Sequence, residues 1–221
     1  MKRFLFLLAC TISLKCEAQT TTTFVPLKSA WKYLDNGSNQ GTVWRGTVFD
    51  DTSWPQGQAE LGYGDGDEAT VVNYGPSSTA KYITTYFRKT FQVTGAASYN
   101  TATLRVRRDD GVVIYLNGAE VYRNTMPSGT VTYTTAASAA VTDEVSLFTA
   151  TVNPAMLVEG NNVLAVEIHQ SGGTSSDISF DMDFTGTVTG NIPAANAQAV
   201  SLSEDTQKAI TLTGTDPNGD P

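Results

Sequence analysis

Residues 102–123 read ATLRVRRDDGVVIYLNGAEVYR. Leu104 and Val106 alternate with Arg105 and Arg107, the period-two pattern of a half-buried strand. Asp110-Gly111 and Asn117-Gly118 then interrupt the apolar runs. Such pairs are preferred centres of two-residue hairpins, because both positions of the turn need positive φ. The spacing predicts a three-stranded antiparallel meander over residues 102–123.

The same signal extends in both directions. In Lys81 to Val93, the residues Ile83, Thr85, Phe87, Phe91 and Val93 share one phase of a strand. Downstream, Val145 to Val152 predicts another strand. Val163 to Ile168 is a near-continuous apolar run, as expected of a central strand. In Asp177 to Val188, the residues Ile178, Phe180, Met182 and Phe184 alternate with Ser179, Asp181 and Asp183. A first strand is expected across Ser29 to Leu34, with Trp31 and Tyr33 on one face, after a polar lead-in at 19–25. Residues 35–80 are rich in Gly, Asp, Asn and Pro and predict a long loop region. Residues 128–142 predict a loose crossing or weak edge strand, and residues 153–158 one helical turn. Eight or nine strands and no helix of normal length make this an all-β chain: an antiparallel two-sheet β-sandwich of the jelly-roll kind.

The composition agrees. Of 221 residues, 40% are hydrophobic and only 16% charged, with 19 Gly; many short strands and tight turns suit that balance. No 18-residue apolar run is present, so no transmembrane segment is expected. Residues 1–18 read as a signal peptide: Lys2 and Arg3, an apolar stretch from Phe4 to Ala9, then Cys16-Glu17-Ala18 before Gln19. Leu7-Leu8-Ala9-Cys10 resembles a lipobox, which would lipidate Cys10, but Leu8 fits it poorly and the apolar core is short. A bacterial protein secreted or carried on the cell surface is expected. The signal segment holds three of the 14 basic and one of the 22 acidic residues. The mature chain then has 11 and 21, a net charge of −10, and no cysteine. That charge repels nucleic acid and anionic lipid. It is compatible with neutral ligands such as sugars, and with calcium.

The composition changes at Gly190. Residues 191–196 read as a linker, and residues 197–221 as the truncated start of a second β-sandwich repeat, with further domains of the chain expected downstream. The predicted sandwich occupies residues 19–190.

Several segments in order resemble galactose-binding-domain-like jelly rolls, the group that includes the sugar-binding domain of glycoside hydrolase family 2. They are Trp31-Lys32-Tyr33, Phe49 to Trp54, Leu61 to Asp65, Tyr86 to Phe91, Asp109 to Gly118, and Gly160 to Glu167. The resemblance spans about 160 residues and implies the fold, not a ligand. Such domains serve as sugar binders, as calcium-stabilised adhesion modules and as spacers beside secreted hydrolases. The tail is similar to the start of a bacterial cadherin-like or immunoglobulin-like repeat at Pro193 to Asn196, Ser203 to Thr206 and Leu212 to Asp220. Repeats of that kind often bind calcium between units.

Catalysis is hard to assemble from these residues. His169 is the only histidine, which leaves no zinc ligand set. No Gly-x-Ser-x-Gly elbow supports a triad built on His169 and Ser171. Asp181 and Asp183 could flank a glycosidic bond, but read better as solvated surface. For sugar binding, the C–H face of a pyranose stacks on an aromatic ring while polar groups bond its hydroxyls. Trp44, Tyr63, Tyr74 and Tyr82 lie in or beside the loop region and are the candidate platform. Arg105, Arg107 and His169 are the candidate polar partners; Trp31 and Trp54 are assigned to the core. Calcium wants several oxygens on a stiff loop. Asp65, Asp67 and Glu68 offer one such set. Glu204, Asp205, Asp216, Asn218 and Asp220 offer a second with cadherin-like spacing. The expected function is a non-catalytic carbohydrate- or surface-binding module of a larger adhesion-type protein. The alternatives are an accessory domain of a secreted glycoside hydrolase, or a structural spacer ahead of calcium-binding repeats.

Overall fold

A computed structural model of the chain describes residues 18–142, 145–190, 194–196, 207, 209, 211 and 213–215. Twelve strands build the sandwich: β1 (Ala18–Val25), β2 (Ala30–Leu34), β3 (Gln56–Gln58), β4 (Leu61–Tyr63), β5 (Thr70–Val71), β6 (Thr84–Val93), β7 (Thr101–Asp109), β8 (Gly111–Leu116), β9 (Ala119–Asn124), β10 (Phe148–Val152), β11 (Gly160–His169) and β12 (Ile178–Gly190). One sheet has the order β10-β7-β12-β4-β5, with β1 also pairing β12; the other has the order β3-β2-β6-β11-β8-β9. All pairings with a defined register are antiparallel except β4 with β5. The predicted all-β sandwich is therefore present. Its helical content among the described residues is three short 3-10 turns, at Val43–Arg45, Ala96–Ser98 and Pro154–Met156. The last is the helical turn expected near residues 153–158, capped by Asn153 accepting the Ala155 N–H. No helix among the described residues is long and apolar enough to cross a membrane.

The core lies between the sheets. Trp31, Phe87, Phe91, Leu164, Val166, Ile168 and Ile114 of one sheet face Leu61, Leu104, Val106, Phe180, Met182 and Phe184 of the other. Phe87 stacks on Phe180 at 4.3 Å between ring centroids, and Trp31 meets the same ring edge-on at 5.0 Å. A second cluster covers the outer face of the β6–β11–β8 sheet. There Trp44 and Trp54 from the long loop, with Val131, pack on Tyr86, Val113, Tyr115 and Ala165. Strands β6, β8 and β11 are thus buried on both faces, which is why Val163 to Ile168 carries no polar alternation until Glu167.

Three expectations are corrected. The polar lead-in at 19–25 is strand β1. Its threonines suit a solvated edge, and only Phe24 and Val25 turn inward against the core. The meander over 102–123 is only half right. Asn117-Gly118 does close a hairpin between β8 and β9, with φ of 52° and 92°. Asp110-Gly111 does not: β7 belongs to one sheet and β8 to the other, so the chain crosses the core there. Neither Asp110 nor Gly111 has positive φ. Gly111 is required by packing, since a Cβ there would stand 2.5 Å from Met126 Sδ and 2.9 Å from Ala137 Cβ. Finally, residues 56–71 supply three short strands inside the expected loop region.

The chain outside Thr21–Val188 forms a separate unit. In it β13 (Ala194–Ala195) and β14 (Gly214–Thr215) pair antiparallel, beside an Asn196 N–H to Thr213 carbonyl bond of 2.8 Å. Residues 1–17, and the tail ligand candidates Glu204, Asp205, Asp216, Asn218 and Asp220, lie outside the described residues.

Candidate functional site

The outer face of the β7–β12 pair is built by strand alternation. Leu104 and Val106 point into the core, so Arg105 and Arg107 point out. On β12, Phe180, Met182 and Phe184 point in, so Ser179, Asp181 and Asp183 point out. The antiparallel register sets Asp183 opposite Arg105 and Asp181 opposite Arg107. Two basic residues thus face two acidic ones across one strand pair.

The two pairs behave differently. Arg105 forms a forked ion pair with Asp183, its Nε lying 3.0 Å from Oδ2. Arg107 turns instead to Glu60, from the residue just before β4, and donates to its Oε2. The other oxygen of Glu60 accepts the Ser179 hydroxyl. Asp181, released by Arg107, accepts the Lys28 N–H on both oxygens at 3.1 Å and the Met182 N–H at 2.8 Å. Burial nonetheless pushes the Asp181 carboxyl above the usual carboxylate range, with the Glu60 charge adding to the rise. Backbone donors and Arg107 offset only part of it. Asp181 and Asp183 are buried, not the solvated surface expected of them, because Lys28 with its loop and Arg105 cover them.

Around Asp181 the surface opens into a cavity of about 370 Å³. Glu60, Asp67, Asp181, Arg107 and Lys28 line it together with Leu27, Ala59, Ala69 and Leu147. Three carboxylates against two cations leave it acidic. A wider crevice of about 620 Å³ beside Tyr99, Asn153 and Leu157 is lined mainly by alanine and proline, with one charge, Glu159. The smaller cavity is the site with convergent chemistry.

The aromatic platform does not form. Trp44 is fully buried and stacks on Trp54, with Tyr86 and Tyr115 edge-on to it. Tyr63 is buried too, and its hydroxyl accepts from Gln170. Desolvation pushes that phenol well above its ordinary range. Tyr74 is half-exposed and meets Tyr63 edge-on at 5.4 Å, but Lys81 Nζ sits over both rings, at 5.0 and 5.6 Å. Tyr82 is half-buried, its ring close to Gly37 and Gly75. Trp31 and Trp54 are buried as expected.

Nor do the polar candidates converge. Arg105 and Arg107 lie on the outer face of one sheet. His169, in phase with Glu167 and opposite to Ile168, lies on the outer face of the other. It is fully buried, with Nδ1 2.8 Å from the Thr135 carbonyl and 3.0 Å from Thr84 Oγ1. Because a carbonyl only accepts, Nδ1 carries the proton. The neighbouring Glu167 accepts the Tyr115 hydroxyl at 2.6 Å and Arg45 Nη2 at 3.2 Å. His169 thereby ties strand β11 to the 131–137 loop.

For calcium the grouping changes. Glu60, Asp65 and Asp67 can bring one oxygen each within 4.8 Å of one another. Glu68 turns away, accepting the Asp65 and Gly66 N–H groups at 3.0 Å. Three carboxylates are about half of what calcium takes, and Glu60 already has Arg107 as counter-charge.

Glu60, Lys28 and Asp181 were missed as members of one site. Nothing around Glu60 in the sequence marks it. The pairing of Arg105/Arg107 with Asp181/Asp183 was open to detection, as complementary charge on two predicted strands.

No family model and no curated protein matches the sequence. The chain is similar to solved structures of β-glucuronidases. One from Bacteroides uniformis is 16% identical, with 76% of this chain and 18% of that one covered and a TM-score of 0.48. One from an uncultured Clostridium sp. is 14% identical, covering 86% and 33%, also at 0.48. One from Ruminococcus gnavus, in complex with D-glucuronic acid, is 9% identical, covering 86% and 33% at 0.48. The chain spans about a fifth to a third of the length of these proteins.

Proposed function

We propose that the sandwich is a non-catalytic carbohydrate- or surface-binding module of a larger secreted or cell-surface protein. The cavity around Asp181 carries this reading. Arg107 and Asp181 on strands β7 and β12, with Glu60 and Asp67 from the chain before and after β4, suit the hydroxyl pairs of a glycan, each of which donates and accepts. The acidic surplus of Glu60, Asp67 and Asp181 favours a neutral glycan over a uronic acid, although D-glucuronic acid is the sugar bound in one of the similar enzymes. Glycan binding at this cavity would be set by hydrogen bonds, because no aromatic ring among the described residues lines it.

The test is retention of the chain on immobilised neutral and acidic polysaccharides. Retention on a neutral polymer, lost in Arg107→Gln at unchanged fold, supports the module. Absence of retention on every polymer rejects glycan binding. The sequence resemblance of the tail to cadherin-like repeats favours an adhesion protein over an accessory domain of a hydrolase. Reading the chain beyond Pro221 separates them: tandem repeats support the first, a catalytic domain the second.

A further inference from the structure

We infer that Asn36 is a site of spontaneous backbone modification, selected by its fold over the equally susceptible pair Asn117-Gly118. Both are Asn-Gly pairs. Their chemistry is the same: the backbone nitrogen of the glycine attacks Asn Cγ and loses its proton. The Cγ–Nδ2 bond breaks, ammonia leaves, and a succinimide closes. Water then opens either carbonyl, giving aspartate or isoaspartate. Glycine is the residue that leaves this attack unhindered, having no Cβ.

The two sites differ in what holds the amide. Asn117 is immobilised. Its Nδ2 donates to the Met156 carbonyl at 3.1 Å and to Asn162 Oδ1 at 2.8 Å, and its Oδ1 accepts the Val163 N–H at 2.9 Å. The leaving nitrogen and the carbonyl oxygen are both committed, to the Pro154–Met156 turn and to β11. Asn36 is exposed, and among the described residues no hydrogen bond holds its Nδ2. Its Oδ1 accepts two donors from Ser38, the N–H at 3.0 Å and the hydroxyl at 2.5 Å. Gln40 Nε2 donates to the same hydroxyl at 2.7 Å, which turns the Ser38 proton toward Asn36. Two donors on one amide oxygen stabilise the charge that develops there when Cγ is attacked, as an oxyanion site does.

The product changes a packed loop. Isoaspartate adds a backbone methylene and a charge beside Gly37, whose backbone lies so close to Tyr82 that a Cβ there would stand 2.3 Å from the ring. Asp35 next to it holds the Asn73 N–H at 2.6 Å.

The experiment is incubation of the folded chain at mildly alkaline pH, followed by peptide mapping with isoaspartate-specific methylation. Asn117 serves as internal reference, and a denatured sample as control for intrinsic rate. Asn36 is expected to convert many-fold faster than Asn117 in the folded chain, with the difference collapsing on denaturation. Ser38→Ala is expected to slow Asn36 by about tenfold while leaving Asn117 unchanged. Equal conversion at the two sites in the folded chain overturns the inference. An unchanged rate in Ser38→Ala overturns the role given to the hydroxyl.

Discussion

Asp110 Oδ2 accepts the Ser171 N–H at 2.6 Å, joining the point where the chain crosses between sheets to a loop 61 residues away. The same oxygen accepts the Ser175 hydroxyl at 2.9 Å, and Oδ1 accepts the Val141 N–H at 2.8 Å. One buried carboxylate therefore pins two loops to the crossover. Asp110→Ala strands those donors and is expected to cost about 2–4 kcal/mol in urea unfolding. Burial raises this carboxyl, but the bonds from Ser171 and Val141 outweigh it and the net shift is downward. Its contribution is therefore present above the unfolded value and lost as pH falls through the folded one, in the acid range below about 4. The alanine variant should lose that part of its acid dependence.

Asp181 has the opposite sign. Its carboxyl is raised, so its contribution is complete below the unfolded value near 3.8 and is lost as pH climbs through the folded value. Asp181→Asn keeps an oxygen for Lys28 and Met182 and removes the charge facing Glu60. The variant is expected to melt higher than wild type at neutral pH, with the gain vanishing below about pH 4. A lower melting temperature at neutral pH would contradict this account.

Trp44 belongs to the second core. Its truncation to alanine should cost about 3–5 kcal/mol, read from denaturant unfolding. Glycan retention per folded molecule should not change. Loss of retention at full stability would return Trp44 to the ligand face.

Calcium is tested by thermal melting with the ion against chelator. Ion at tenfold its Kd adds about 1.4 kcal/mol by mass action, or roughly 3–5 °C for a chain of this size. The rise should disappear in Asp65→Asn/Asp67→Asn. An unchanged melting temperature in wild type rejects a structural calcium at the Glu60 cluster.

The strands were legible because alternation is local. Thr84–Val93, Gly160–His169 and Ile178–Gly190 fall where residues 81–93, 163–168 and 177–188 predict them, and Asn117-Gly118 turns as its φ values demand. So was the division of Trp31 and Trp54 into the core. Sheet membership was not legible at Asp110-Gly111. A turn and a crossover use the same residues, and the choice rests on whether Val112 pairs with β7 or with Ile168 of β11. The site was hidden for the same reason. Trp44 looked like a platform because its loop is polar, yet that loop folds over Tyr86 and Tyr115 and buries it. Glu60 carries no local signal; it meets Arg107 and Ser179, 47 and 119 residues away, only once β4 pairs with β12. Sequence alone determined the strongly alternating strands, their apolar faces and the acidic balance, which are properties of near neighbours. The tertiary structure decided which polar residues share a cavity, because that depends on the order of strands in the sheets, and distant residues become neighbours only when the sheets close.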